Sequence, residues 1–215
     1  MNSNENNYNF IWISDFDEEM LPRFINKFIQ LESDPSVTII PIYISSYGGD
    51  AYSLIAMRDI IKTSTKPVAT IALGKAMSAG AFLLASGSKG LRFASQNTYI
   101  LVHEMSTETG GTASEIKNEA ANIAEVNDTL LRNFASDIGT KYSEVSNKIK
   151  ELGNSDWHLT AKGALEWGII DNIDIPRVLS EVSSTSLAVQ KMPESVEKKS
   201  KSKSKKKTEK EDKPQ

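Results

Sequence analysis

Between residues 8 and 179 the apolar positions fall by turns into short continuous runs and into spacings of three to four, which predicts strand followed by helix several times over. Residues 10–13 (FIWI) read as a short strand. Leu21, Phe24, Ile25, Phe28 and Ile29 then recur at helical spacing, with Pro22 tolerable only in a first turn. Residues 37–44 (VTIIPIYI) form a nearly unbroken β-branched run, as expected of a buried strand in a parallel sheet. A helix over 50–63 follows, then a strand over 67–73 (PVATIAL) and a compact, very apolar helix over 77–86. A strand over 97–103 ends in polar groups, a long helix runs over 112–137, and a second lies behind it at 143–152. Thr160 caps a short helix that stops at Gly168, and Ile169 and Ile170 start a closing strand. The pattern is that of an α/β fold: repeated β-α units making a mostly parallel sheet flanked by helices.

Composition adds boundaries to this picture. Residues 191–215 carry ten Lys against five acidic side chains, whereas the other 190 residues carry 15 basic and 23 acidic ones. The run KKSKSKSKKKTEKEDK cannot bury enough surface to offset its ordering entropy. The expected organisation is therefore a flexible N-terminus over 1–9, one folded domain over 10–179 and a disordered lysine-rich tail over 180–215. An acidic body lacks the basic face of a nucleic-acid-binding domain, so no nucleic-acid partner is expected. No apolar stretch approaches the ~20 residues of a spanning helix, and the Asn-rich start lacks the layout of a signal peptide. The absence of cysteine excludes disulfides, a thiol nucleophile and thiolate metal sites. The expected setting is the cytoplasm, away from membranes.

In such folds ligands bind where strands end and helices begin. The turn after VTIIPIYI carries Gly48 and Gly49, which permit backbone conformations closed to other residues and a close approach to their N–H groups. Read alone, the pair is also consistent with a plain tight turn. After PVATIAL comes Gly74-Lys75-Ala76-Met77-Ser78-Ala79-Gly80-Ala81. Ser78 stands at the start of an apolar helix, where the helix dipole and the Ala79 N–H suit a nucleophile whose attack creates an oxyanion. As one of 26 serines it is equally readable as a helix cap, and Ala76 breaks the Gly-x-Ser-x-Gly elbow motif. There are only two histidines. His103 ends the strand TYILVH, and a base at a strand end beside a nucleophile at a helix start is the geometry acyl transfer needs. His158 is the second available imidazole. It lies two residues past Asp156, so both face one side of an extended segment. Pattern alone does not select the carboxylate among 28 acids.

Four stretches in order, YISSYGGDAYSLIAMRDII, GKAMSAGAFLLASGSKGLR, YILVHE and DWHLTAKGALEWGIIDNI, resemble the proteolytic subunit of the Clp protease. That family shows Ser-Pro-Gly-Gly after one strand, Gly-x-Ala-x-Ser-x-Gly-Ala after the next, a strand ending in the catalytic His, and an Asp before its closing segment. The spacings agree, with 25 residues from Ser78 to His103 and 15 from Asp156 to Asp171. The resemblance covers residues 10–175 and implies a fold shared with the crotonase-like superfamily, with a projecting handle helix (about 112–152). It implies Ser78 as nucleophile, His103 as general base and then acid, and Asp156 as the orienting carboxylate. It assigns the oxyanion hole to the N–H groups of Gly49 and Ala79. It assigns a peptide-pairing strand to Met105, Ser106, Thr107, Glu108, Thr109 and Gly110.

The same resemblance implies a serine endopeptidase in a ring oligomer, as two stacked heptamers, acting on peptides or unfolded proteins with no metal or organic cofactor. Other readings are a catalytically impaired ring subunit, or an acyl-CoA hydratase or isomerase of the same superfamily. The chain also departs from the family pattern. Tyr47 replaces the usual Pro, Ser155 replaces an Arg that links ring assembly to the triad, and residues 141–154 are four longer than usual. The N-terminus is shorter than the family's, whose first residues engage an AAA+ unfoldase, so that partnership is expected to be weakened.

Overall fold

The computed structural model describes residues 9–153 and 156–176; the Asn-rich start, Ser155 and the lysine-rich tail lie outside the described residues. Strands β1 (Ile11–Ile13), β2 (Ile40–Ser46), β3 (Val68–Met77) and β4 (Arg92–Ala94) run parallel in that order, and β7 (Asn172–Ile173) continues beyond β4. The first half of β3 pairs with β4 through Thr70, Ile71 and Ala72. Its second half pairs with β5 (Tyr99–Val102) through Lys75, Ala76 and Met77. β6 (Trp157–Thr160) joins β5 in the one antiparallel pairing among the described strands. The expected α/β architecture is the observed one.

One face of this sheet packs against α1 (Met20–Ser33), α2 (Ala51–Thr63) and α3 (Ala79–Ala85), burying Ile40, Ile42, Ile44, Val68, Ala72 and Ala76. The alternate residues of the same strands, with Ile71 and Phe93 fully buried, form a smaller cluster on the other face. Period-2 alternation therefore feeds two cores, which is why β2 and β3 read as continuous apolar runs.

Several boundaries differ from expectation, each for a local reason. β3 runs on to Met77 instead of stopping at residue 73, because its second half finds β5 as a partner and Gly74 (φ +73°) supplies a left-handed kink between the halves. α3 consequently begins at Ala79, not at 77. β4 was not foreseen: it has three residues, all buried, and Arg92 among them hides its character. Ile169 and Ile170 are buried but lie outside a strand. Their N–H groups fold back onto the Ala164 carbonyl at the end of α6 (Ala161–Glu166), and the closing strand starts only at Asn172.

Helix α4 (Ala113–Ile138) is about 39 Å long at 1.5 Å per residue. A capping box between Thr112 and Glu115 starts it, and Gly139 in the left-handed region stops it. Its first half stands in solvent: Ile116 is exposed, and Ile123 and Val126 are half-buried. Leu130 is buried at the point where the helix meets the body. α5 (Tyr142–Glu151) packs behind it through Val145 and Ile149. Among the described residues, no helix is long and apolar enough to cross a membrane.

Charge anchors the base of α4. Asp137 accepts two hydrogen bonds from Arg58 (2.8 and 3.0 Å) and pairs with Lys62 at 2.9 Å, both on α2. Beneath it Arg92, only 3% exposed, donates to the Asp137 carbonyl at 3.0 Å and forks onto both oxygens of Asp171 at 2.6 and 2.8 Å. Burial alone would push the Asp171 carboxyl up. The Arg92 guanidinium and the N–H groups of Gly90 and Arg92 more than offset it and hold the carboxyl below its ordinary value. A carboxyl depressed by folding stabilises the protein above its unfolded pKa, and that contribution is lost as pH falls through the folded value. Asp171→Asn should therefore cost about 3 kcal/mol at neutral pH, since it leaves Arg92 buried without its counter-charge. Its stability should also fall less steeply on acidification than wild type, as read by denaturant unfolding across pH.

Candidate active site

Ser78 sits alone between β3 and α3, at φ 52° and ψ −123°, the one non-glycine described residue with positive φ. Such a conformation costs about 1–3 kcal/mol and persists only where neighbours over-determine it. Here the Ser78 N–H donates to the Leu101 carbonyl at 2.8 Å, extending the β3–β5 ladder by one residue. Its carbonyl accepts from Ala81 and Phe82, and every residue of α3 is buried. The Ser78 side chain makes no capping bond, so the helix does not use its hydroxyl. The result is a sharp strand-to-helix elbow without the Gly-x-Ser-x-Gly signature. Ala76 is small enough to lie fully buried where that motif has its first glycine, and the second falls at Gly80, where a Cβ would sit 3.5 Å from the Ser46 carbonyl oxygen.

Against this elbow lies the turn after β2. Gly48 has φ +109°, and a Cβ on it would stand 2.6 Å from the Ser78 Cβ, 2.9 Å from the Met77 carbonyl oxygen and 3.2 Å from the Ala79 nitrogen. Gly49 has φ +152°, and a Cβ there would meet the Phe16 carbonyl oxygen at 2.4 Å. The paired glycines thus answer a close approach of two backbones. The Gly48 N–H donates to the buried Ser46 Oγ at 3.0 Å and the Asp50 N–H to the Phe16 carbonyl at 2.8 Å. The Gly49 N–H between them has no partner among the described residues. Ala79 is the first residue of its helix, so its N–H lacks an intrahelical acceptor.

His103 follows directly on β5, whose Leu101 is level with Met77 and accepts the Ser78 N–H, so its backbone runs beside the elbow. Its Nδ1 lies 3.8 Å from Asp156 Oδ1, and the second oxygen of Asp156 lies 3.8 Å from His158 Nε2. Both separations exceed a hydrogen bond. His103 is 28% exposed, Asp156 53% and His158 67%. His158 is opposite Leu101 in the β5–β6 pairing, one strand further from Ser78 than His103 is. Chain topology thus gathers all three residues of the expected triad at one end of the sheet.

Residues 105–110, expected as a strand, are irregular and largely exposed. A strand needs a neighbour for its backbone groups, and this segment has none alongside it in the single chain. It is tied to α4 instead: Asn127 Oδ1 accepts the Met105 N–H at 2.9 Å, and Asn127 Nδ2 donates to Glu104 at 3.3 Å. Asn127 was not foreseen, because a polar residue on an exposed helix carries no mark of its partner in sequence.

The family model for Clp protease matches residues 6–177. The chain belongs to the Clp protease family. It is 31% identical over 155 residues to ATP-dependent Clp protease proteolytic subunit 6, chloroplastic, of Arabidopsis thaliana, covering 72% of this chain and only 56% of that protein. Proteolytic subunit 2 of Corynebacterium diphtheriae is 31% identical over 157 residues, with 73% and 77% covered. Its counterpart in Corynebacterium glutamicum is 31% identical over 160 residues, with 74% and 78% covered. Membership in the Clp protease family accords with the mostly parallel sheet and its flanking helices.

The strain at Ser78 has a measurable consequence that is independent of activity. Glycine adopts positive φ freely and alanine does not, so Ser78→Gly should be more stable than Ser78→Ala by about 1 kcal/mol. Denaturant midpoints of the two proteins check this. Equal midpoints would show that the elbow relaxes once the hydroxyl is gone.

Proposed function

We propose that the chain is a serine endopeptidase. The observation that carries the reading is the Ser78 elbow. An unused hydroxyl stands on a strained turn just before the Ala79 N–H, and the glycine turn is packed against it. The Gly49 and Ala79 N–H groups have no acceptor among the described residues, and His103 follows the adjacent strand. Ser78 Oγ attacks the peptide carbonyl carbon while His103 takes its proton. The N–H groups of Gly49 and Ala79 receive the developing oxyanion. His103 then protonates the leaving amine, and water, deprotonated by the same imidazole, releases the acyl group from Ser78. Asp156 orients the imidazole and stabilises its cation. The 3.8 Å gap between them must shorten by about 1 Å in the working complex, a tightening usual on going from the free to the substrate-bound state.

Residues 105–110 would supply the missing strand neighbour to an extended peptide, each satisfying the other's backbone groups. The exposed first half of α4, with Ile116, Ile123 and Val126 on it, supports assembly into a ring, here proposed as stacked heptamers. The relatives' names call them ATP-dependent, and delivery of substrate by an ATP-driven unfoldase belongs to the proposal on that likeness alone.

Labelling by a fluorophosphonate probe, run beside cleavage of a short peptide, tests this. Wild type should label and cleave. Ser78→Ala should do neither, and His103→Ala should lose several powers of ten in rate at unchanged assembly mass, because triad members act as a unit. His158→Ala should keep most of its activity. Retained cleavage by pure Ser78→Ala would sink the reading, and thioester turnover without labelling would point to the hydratase chemistry of related folds.

A further inference from the structure

The turn that carries the Gly49 N–H is weakly tied to β3 by backbone alone. The β2–β3 register runs evenly to Ile44↔Ala72 and resumes at Ser46↔Ala76. Ser45 on one strand therefore faces Leu73, Gly74 and Lys75 on the other, and the ladder lapses just before the turn. The residue that follows β2 is Tyr47, 72% exposed, where the family pattern has a proline that would stiffen the chain. Lys75 rises from the bulge and places its Nζ 3.5 Å from the centroid of the Tyr47 ring. Lys75 is also level with Tyr99 on β5 and stands three residues before Ser78. One side-chain contact thus bridges the strand leading to Gly49 and the strand leading to Ser78 and Ala79, across the gap in the ladder.

We propose that Tyr47 and Lys75 form a cation–π clamp that positions the Gly49 N–H relative to the Ala79 N–H. Both act as positioning residues for the oxyanion site. The inference rests on the reading of Ser78 as nucleophile. Two donors serve a tetrahedral oxyanion only at a set separation, and the β2–β3 ladder that would relate the two turns is interrupted just before them. An ammonium over a tyrosine ring adds a restraint across that gap without adding bulk between the turns. A proline would restrain the backbone from within; the clamp restrains it from across the gap.

The test compares Tyr47→Ala and Lys75→Met with Tyr47→Phe and Lys75→Arg, measuring kcat and KM on a short peptide and the affinity of a peptide boronate. The boronate adduct is tetrahedral and places an oxygen where the oxyanion forms. Loss of the clamp should lower kcat by about 2- to 5-fold, the factor that corresponds to an exposed cation–π contact, with KM unchanged. Boronate affinity should fall by the same factor, since it reports the oxyanion site. Tyr47→Phe and Lys75→Arg keep a ring and a cation and should restore most of the rate. Unchanged kcat in Tyr47→Ala and Lys75→Met would overturn the clamp, as would a rise in KM alone, which would make the pair substrate contacts. A fall in kcat matched by loss of thermal stability or assembly mass, without rescue by Arg or Phe, would also overturn it. Ser78→Ala in the same assays separates the two levels: if it is inactive, failure of the clamp leaves the nucleophile standing, and if it is active, both fall.

Discussion

The arrangement depends on β3 being longer than any one neighbour. One edge of its ten residues pairs with β2 over Val68–Ala72 and again at Ala76, while the other edge is divided between β4 and β5. The first half is ordinary core sheet. The second half leaves that sheet at the Gly74 kink and carries the chain out to Ser78 with a ladder still intact on the β5 side. A strained residue can persist there because the strand before it and the buried helix after it are both held independently. A β3 that stopped at residue 73 would leave Ser78 on a loop, where the same strain would relax.

The site divides into a rigid part and a looser one. The Ser46 hydroxyl and the Phe16 carbonyl tie down the glycine turn on one side, and the Tyr47–Lys75 contact spans the gap on the other. The imidazole and carboxylate are half-open to solvent and sit a little too far apart for a direct bond. The described neighbours that touch the residues just after His103 come from α4, through Asn127, and α4 is the element most open to other molecules. The ion pairs at Asp137 and Asp171 fix only its lower end.

Much of the fold was legible because β2, α1 and α2 follow single periods with clear turn residues between them. What escaped has physical reasons. β4 is three residues long, below the reach of any periodic signal, and its buried Arg92 is explained only by Asp171, 79 residues away. Ile169 and Ile170 are apolar because they close the turn after α6, and apolarity alone does not distinguish that from a strand. At the site, Ser78 and His103 stood out by position and scarcity, while Asp156 was reachable only through likeness to a family. The elbow was missed because the motif describes one way of making room around a serine, and Ala76 makes room equally well. The Tyr47–Lys75 contact has no local signature, since its partners lie on different strands.

The approach of Gly48 to Ser78 also sets limits on redesign. The Cβ that Gly48 lacks would fall 2.6 Å from that of Ser78, so positions 30 residues apart share one volume. Randomising residue 48 in a library would return glycine whatever diversity was encoded. Emptying residue 78 would not lift the restriction, because the Met77 carbonyl oxygen remains 2.9 Å away and the φ of +109° is unchanged. The dependence runs one way: residue 78 can shrink while residue 48 stays as it is, but residue 48 cannot grow. New side chains for this cleft therefore have to come from Tyr47 or from the stretch after His103, where the surface is open.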